Sequence, residues 1–114
     1  MIKIELANAD MKEKLKLKNE AFIVTQKDEL LGFCAFALTP PEVQIERADC
    51  EDMGLLDGLI RQTMSYALDH DCRYALFEKD VKQKAVLLKI LKEYEQSLDI
   101  LTFFTNLNHC ENIL

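Results

Sequence analysis

The clearest hydrophobic pattern in the chain is helical and lies in its middle third. Two rows of mostly apolar residues advance by four positions, one starting at Leu55 and the other at Leu56. The two rows lie side by side and form one broad apolar stripe, while polar residues fall outside it. This spacing predicts an amphipathic helix from Leu55 to about Leu68, with one face in a hydrophobic core.

Strand-like patterns precede this helix. Residues 2–6 alternate, residues 21–26 are rich in strand formers, and residues 30–38 are an almost unbroken apolar run. The polar turn at 27–29 joins the last two segments into an antiparallel hairpin, and their apolar character predicts that both faces of the hairpin are covered. Residues 43–48 alternate again and predict a third sheet strand.

Shorter signals complete the elements around the central helix. Asn8 or Asp10 can cap a short helix over Met11–Leu17. Residues 73–77 read as a strand that follows the central helix and closes a β-α-β unit. Such a unit predicts a parallel strand pair with a right-handed crossover.

The last third of the chain predicts a second helix and a final apolar segment. Asp80 can cap a helix from Val81 to about Gln96, whose apolar stripe includes Tyr94. Residues 100–104 predict either a strand or an aromatic plug. The fold class is therefore α+β, with a mixed β-sheet, helices on both faces, and the whole chain 1–114 as a single domain.

Composition and charge narrow the classes of function. The net charge of −6 argues against nucleic-acid binding, which needs clustered cations. The lysine-rich stretch Lys12–Lys18 contains Glu13 and reads as a solvated helix face. No apolar run approaches the roughly 18 residues of a membrane span, and residues 1–5 contain no signal-peptide core. We therefore expect a cytoplasmic protein that does not enter a membrane.

The four cysteines do not indicate a metal site. Cys34, Cys50, Cys72 and Cys110 are widely spaced, and no C-x-x-C pair occurs. His109 and Cys110 are adjacent but cannot bind a metal alone. Cys50 and Cys72 flank the central helix and could meet in space, where we expect both to be reduced.

The junction between the third sheet strand and the central helix is the clearest place for chemistry. An acidic turn, Asp49–Gly54, leads from the strand into the helix. The first turn of a helix has backbone N–H groups without partners, and the helix dipole adds partial positive charge there. These groups form a site for an anion such as a pyrophosphate.

Over roughly residues 21–98 the order of elements resembles the GNAT superfamily of N-acetyltransferases. Leu31–Ala35 is similar to that family's second hairpin strand, and Gly54–Arg61 is similar to the start of its cofactor-binding helix. The run from Gly54 to Arg61 looks closest to small bacterial members. The resemblance implies acetyl-CoA as substrate and a small-molecule or protein amine as the acceptor.

The resemblance also implies where acetyl-CoA would bind. The pyrophosphate would lie on the backbone of the helix start, and the pantetheine arm would pass between the strands 43–48 and 73–77, with the acetyl carbonyl on the edge of the first strand. The residues this implies are Ile45, Arg47, Ala48, Met53, Gly54, Leu55, Leu56, Asp57 and Gly58. Glycine in such a loop allows close approach of the phosphates.

Two departures from the family pattern favour an alternative function. The family's loop begins with Gln or Arg and ends with Gly or Ala, whereas this chain has Glu51 and Leu56 at those positions. About twenty residues precede the hairpin, where the family usually has about forty, so the N-terminal region is shortened. The acceptor site would then be open or be completed by a second copy in a homodimer.

By the same resemblance, two residues are candidates for proton transfer. Tyr94 matches the tyrosine that acts as an acid toward the departing thiolate, although it also fits the apolar stripe of its helix. Glu46 can act as the base for the acceptor amine, although it also fits an exposed sheet position. The sequence thus supports an acetyl-CoA-dependent N-acetyltransferase, a GNAT-shaped binding protein without transfer activity, or a structural domain unrelated to CoA.

Overall fold

One mixed sheet organises the molecule. The computed structural model describes the backbone of residues 1–113 and the side chains of residues 1–106. The elements are β1 (Ile2–Leu6), α1 (Ala9–Lys14), β2 (Glu20–Gln26), β3 (Glu29–Thr39), β4 (Glu42–Cys50), α2 (Met53–Leu68), β5 (Tyr74–Phe77), α3 (Lys79–Leu87), β6 (Leu98–Asp99) and α4 (Ile100–Ile113). The strands follow one another across the sheet in chain order. Only the β4–β5 pair is parallel; the other neighbours are antiparallel.

The hairpin β2–β3 forms as its sequence predicts. Its turn residues, Lys27 and Asp28, have φ angles of 52° and 66°. Two successive residues with positive φ give a type I′ turn, whose twist matches that of the paired strands. Beyond the turn, Leu31 is an extra residue of β3, so the turn and this bulge together set which side chains of β2 and β3 face each side of the sheet.

Helices cover both faces of the sheet, as predicted. On one face, α2 packs against a core that includes Phe22, Phe36 and Ile45. On the other face, Ile23 and Phe33 pack against partly buried side chains of α1 and the loop that follows it. Alternation along β2 and β3 directs successive side chains to opposite cores, which explains why both strands are almost continuously apolar.

The central helix confirms the predicted stripe. Its buried residues are Leu56, Leu59, Ile60, Thr63, Met64 and Ala67. The buried Thr63 hydroxyl donates to the carbonyl of Leu59 at 2.8 Å, so its polar group is satisfied within the helix. The helix ends at Leu68 as predicted but begins at Met53, two residues earlier than its apolar pattern indicates.

The prediction of a second helix to Gln96 was wrong. Helix α3 begins at Lys79, one residue before the predicted cap Asp80, and ends at Leu87. Lys89 then takes a φ of 62°, and Ile90 donates to the carbonyl of Ala85 at 2.9 Å. This closure turns the chain so that the adjacent Ile90 and Leu91 are both buried.

The final apolar segment is neither a strand nor only an aromatic plug. A two-residue strand, β6, leads directly into α4. The carboxylate of Asp99 accepts a hydrogen bond from the amide of Thr102 at 3.1 Å, as an N-cap does. Phe103 and Phe104 pack partly buried against the main core. The side chains of His109 and Cys110 lie outside the described residues.

Cys50 and Cys72 do not meet. Cys50 ends β4, whereas the thiol of Cys72 lies against the carbonyl of Glu42 at the start of the same strand, at 3.2 Å. The nine-residue strand separates them. Among the described residues, no helix combines the length and apolarity needed to cross a membrane.

Candidate functional site

Strands β4 and β5 separate halfway along β4. The parallel pairing joins Glu42–Ile45 to Tyr74–Phe77, and the amide of Glu78 makes a last bond to the carbonyl of Ile45 at 3.0 Å. Strand β4 continues to Cys50, whereas β5 has already ended. Residues 46–50 of β4 therefore present a backbone edge that β5 does not cover.

A β-bulge lies where this edge begins. Ala35 of β3 pairs with Arg47, and the next residue, Phe36, pairs with Ile45, so Glu46 is the extra residue of β4. A bulge leaves its extra residue out of the ladder and redirects neighbouring side chains. Here it breaks the alternation so that the adjacent Glu46 and Arg47 both lie on the α1 side of the sheet, opposite the buried Ile45.

Contacts with the loop after α1 hold both bulge side chains. Asn19 donates from Nδ2 to both carboxylate oxygens of Glu46, at 3.2 and 3.4 Å. The guanidinium of Arg47 donates to the carbonyl of Leu15 at 3.3 Å and lies 4.9 Å from the ring centroid of Phe33. The bulge and the loop thus form one unit at the α1 face of the sheet.

Two cavities meet at the bulge. The edge cavity, about 200 Å³, lies between β4 and α3 and is lined by Glu46, Arg47, Ala48, Asp49, Asp80, Val81 and Lys84. The α1-side cavity, about 230 Å³, is lined by Lys16, Leu17, Lys18, Asn19, Ala35, Glu46 and Arg47. Glu46 and Arg47 line both cavities. A ligand in one cavity can therefore lie close to a ligand in the other, with this residue pair between them.

Lys84 is a site residue that the sequence analysis missed. Its ammonium donates to the carbonyl of Ala48, on the uncovered edge of β4, at 2.5 Å. The lysine is half-buried and extends from α3 across the edge cavity. The only sequence signal is its position on the predicted helix after β5, because its partner is a backbone carbonyl 36 residues away.

The start of α2 differs from the prediction of an open anion site. Strand β4 and helix α2 leave only Glu51 and Asp52 between them. Asp52 is the N-cap, and its carboxylate accepts from the amide of Leu55 at 3.0 Å, while its carbonyl accepts from the amide of Leu56 at 2.9 Å. The bond from Leu56 is the first regular bond of the helix, so the chain itself occupies one of the four partnerless amides at the helix start, that of Leu55.

Gly54 lies inside the first turn of α2 rather than in a loop. A Cβ at this position would lie 3.2 Å from the Asp52 carboxylate, closer than an ordinary contact. The glycine therefore makes room for the capping carboxylate. Of the first-turn amides, those of Met53 and Gly54 have no partner among the described hydrogen bonds.

The largest cavity adjoins this helix start and is acidic. This hairpin groove, about 640 Å³, runs from the β2–β3 turn to α2. Its charged lining residues among those described are all carboxylates: Glu29, Asp49, Glu51 and Asp52. Carboxylates at such a surface oppose a phosphate by roughly 1 kcal/mol each at a few ångströms.

The other predicted cofactor residues differ in what they can offer to a ligand. The side chains of Ile45 and Leu56 are buried in the main core, so these residues can offer only backbone groups to a ligand. Asp57 is held by Arg61 at 2.7 Å, and that guanidinium lies 5.0 Å from the ring of Phe103. The ion pair therefore connects α2 to α4.

Gly58 and Tyr94 lie away from the two cavities at the bulge. A Cβ on Gly58 would be 3.7 Å from Ile4 of β1. Tyr94 follows α3 in a turn and is 76% exposed, so the prediction of a helical, core-facing position was wrong. Neither the edge cavity nor the α1-side cavity includes Tyr94 among its lining residues.

The buried thiols are not positioned as nucleophiles. Desolvation raises the pKa of Cys34 to about 12, although a hydrogen bond with Thr63 opposes the shift. Desolvation, together with the charge of Asp71, also raises the pKa of Cys72. Both thiols therefore stay protonated at neutral pH and unreactive. Among the described residues no three His, Cys, Asp or Glu side chains converge as metal ligands.

Comparison with known proteins identifies the fold. No protein-family model and no curated protein matches the sequence. Solved structures do match. Ribosomal-protein-alanine N-acetyltransferase from Brucella melitensis biovar Abortus 2308 superposes with a TM-score of 0.64 at 14% identity, over 86% of this chain and 97% of that one. A probable acetyltransferase from Staphylococcus epidermidis ATCC 12228 gives 0.62 at 17% identity, over 79% and 82%.

A third match was solved with a ligand. The Bacillus subtilis acetyltransferase in complex with CoA gives a TM-score of 0.58 at 16% identity, over 79% of this chain and 75% of that one. The fold of the present chain is therefore the one that these acetyltransferase structures share, and it is the GNAT fold that the resemblance over residues 21–98 implied. At these identities the likeness establishes the fold alone.

Proposed function

We propose that this protein is an acetyl-CoA-dependent N-acetyltransferase in which an acceptor amine attacks the thioester directly. The observation that carries the proposal is the uncovered edge of β4 with its bulge at Glu46, between the edge cavity and the α1-side cavity. The thioester would enter through the first cavity and the amine through the second. The two reactants would then meet at Glu46 and Arg47.

The edge of β4 is suited to hold an amide-containing arm. Unpaired backbone groups of residues 46–50 can bond an extended pantetheine as a strand bonds its neighbour. The Ala48 carbonyl is one of these groups, and Lys84 occupies it now. When the arm takes over this carbonyl, the ammonium of Lys84 becomes available to the thioester oxygen, where negative charge develops during attack.

Glu46 is suited to accept the amine proton. Its carboxylate lines both cavities and is held from one side by the amide of Asn19. A positioned carboxylate at the reacting amine can supply about 10²- to 10⁴-fold in rate. Tyr94 as the acid toward the departing thiolate stays a prediction; its exposed ring lines neither cavity.

One observation favours the second candidate function, a GNAT-fold binding protein without transfer activity. The carboxylate of Asp52 caps the helix on which a pyrophosphate would lie, and Glu51 stands beside it. Two negative charges and an occupied amide weaken diphosphate binding. A binding protein of this kind would bind a small molecule or another protein through the same two cavities. Assembly of the chain as a homodimer also stays a prediction.

Calorimetric titration with acetyl-CoA and with CoA separates the two candidates. The transferase proposal predicts saturable binding, a rise in melting temperature by mass action, and release of free CoA when a panel of amines is added. Acetylated product is identified by mass spectrometry. Binding without product from any amine in a broad panel would favour the binding protein, and no interaction at millimolar CoA would refute the transferase.

A further inference from the structure

The α1-side cavity has a charge pattern opposite to that of the protein as a whole. The chain carries a net charge of −6. Of the charged residues that line this cavity, three are cations, Lys16, Lys18 and Arg47, and only Glu46 is an anion. The charged residues described in the lining of the hairpin groove, by contrast, are all carboxylates. The cavity on the amine side of the bulge is therefore locally basic.

These cations lack carboxylate partners. None of the ion pairs among the described side chains includes Lys16, Lys18 or Arg47. Arg47 is held by the neutral carbonyl of Leu15 and the ring of Phe33, so its charge is positioned but not neutralised. Lys12, from the same lysine-rich stretch, is instead paired with Glu20 at 2.6 Å.

Glu46 supplies the complementary anion of the same cavity. Its only described side-chain partner is the neutral amide of Asn19, so none of the described cations is paired with this carboxylate. A ligand that matches this arrangement carries an ammonium toward Glu46 and an acidic group toward Lys16 and Lys18. The volume of about 230 Å³ suits a molecule of amino-acid size.

From this arrangement we propose that the acceptor of this protein is a small amine that also carries a carboxylate or phosphate group. The proposal rests on the proposed acetyltransferase function. The bound ammonium first gives one proton to solvent. The neutral amine nitrogen then attacks the thioester carbon and forms an amide bond, the carbon–sulfur bond breaks, the second amine proton goes to Glu46, and the thiolate of CoA leaves and takes a proton from solvent. The acidic group stays on the two lysines and orients the amine.

The test compares two ligands of the same carbon skeleton, L-glutamate and its diamide, L-glutamine amide. Each is titrated into ¹⁵N-labelled protein while amide resonances are followed. We expect glutamate to shift the resonances of residues 16–19 and 46–47 and to bind at least about fivefold more tightly than the diamide, since two partly exposed ion pairs are worth about 1 kcal/mol together.

Variants locate the effect. Lys16→Gln combined with Lys18→Gln should remove the preference for glutamate, whereas Lys14→Gln, which removes a charge from the same stretch outside the cavity, should leave it unchanged. Equal binding of glutamate and its diamide, or glutamate-induced shifts confined to residues 29 and 49–52 of the hairpin groove, would overturn the proposal. An unperturbed spectrum at high glutamate concentration would overturn it as well.

The failures of the two proposals are distinguishable. If glutamate binds at residues 16–19 and 46–47 but acetyl-CoA acetylates neither glutamate nor any amine of the panel, the transferase proposal fails and the basic cavity remains an acidic-amine site. If amines are acetylated without any preference for an acidic group, the transferase stands and the acceptor class proposed here is wrong. Phosphoethanolamine, tested beside glutamate, distinguishes phosphate from carboxylate recognition.

Discussion

Lys84 of α3 and the Ala48 carbonyl of β4 are bonded across the gap that β5 leaves open. This contact covers part of the β4 edge on which an acyl carrier would lie. It holds the long side chain of Lys84 against a backbone group. In the proposed function an amide of the carrier competes with Lys84 for this carbonyl, because both donate to the same oxygen. Removal of the Lys84 ammonium is therefore expected to have opposite effects on CoA binding and on turnover.

The first prediction concerns Lys84→Met. Loss of the ammonium frees the Ala48 carbonyl, so the dissociation constant for CoA should fall about fivefold relative to Lys82→Met, for one hydrogen bond of about 1 kcal/mol. Lys82→Met removes the same charge from α3 without touching β4. At the same time kcat should drop by about 10², because a donor at the developing oxyanion is lost. Weaker binding in Lys84→Met than in Lys82→Met would contradict this role.

The second prediction concerns the N-cap of α2. Asp52→Asn keeps a capping oxygen for the amide of Leu55 but removes one negative charge. The affinity for CoA, measured by calorimetry, should rise about fivefold, since an exposed charge at a few ångströms is worth about 1 kcal/mol. Asp69→Asn is the control, because it removes the same charge at the opposite end of the helix, about 25 Å away. Equal effects of the two variants would mean that the phosphates do not approach the helix start.

The third prediction concerns proton transfer. Glu46→Gln retains an acceptor for Asn19 but cannot take a proton, so kcat/KM should fall by about 10²- to 10⁴-fold. The loss should shrink as the pH rises and more of the amine is already deprotonated. Glu42→Gln, at the other end of β4, should keep normal turnover. A Glu46→Gln enzyme with an unchanged pH profile would exclude Glu46 as the base.

The fourth prediction concerns pH and the last strand pair. Arg73 donates to both carboxylate oxygens of Asp99, and this hydrogen bonding, more than any other cause, holds the pKa of Asp99 below its ordinary value of 3.8. A lowered folded-state pKa stabilises the protein above 3.8, and this contribution is lost as the pH falls through the lower value. Urea unfolding should therefore show Asp99→Asn to be less stable than wild type at pH 6, with the difference shrinking below pH 4. If the stability difference between wild type and Asp99→Asn grew on acidification, the pKa of Asp99 would not be lowered by folding.

The fifth prediction compares two glycines. A Cβ on Gly32 would lie 2.6 Å from both the carbonyl oxygen of Asp49 and the Cβ of Cys50, so Gly32→Ala must push β3 and β4 apart. We expect the free energy of unfolding to fall by about 1–3 kcal/mol. Gly58→Ala meets only an ordinary contact at 3.7 Å and should gain about 0.5–1 kcal/mol of helix propensity. Denaturant unfolding of both variants measures this, and a stable Gly32→Ala protein would contradict the close approach.

Local pattern was sufficient for most of the fold. The four-residue rows of α2, the alternation of β4 and the polar turn at 27–29 each depend on neighbours within a few positions, and each element lies where that pattern predicts it. The end of α3 escaped prediction because its apolar residues continue past Leu87. Only the main core, which buries Ile90 and Leu91 together, decides that the chain turns there.

The features of the candidate site also divide into those set by local sequence and those set by tertiary contacts. The sequence by itself determined the strand–turn–helix order, with Glu46 on the strand and Gly54 at the junction, because those features are close together in the chain. Tertiary structure decided that the bulge residue Glu46 lies against Asn19 and that Lys84 bonds to Ala48. These outcomes depend on strand length, register and contacts between residues up to 36 positions apart, and short-range periodicity carries no information about such distances.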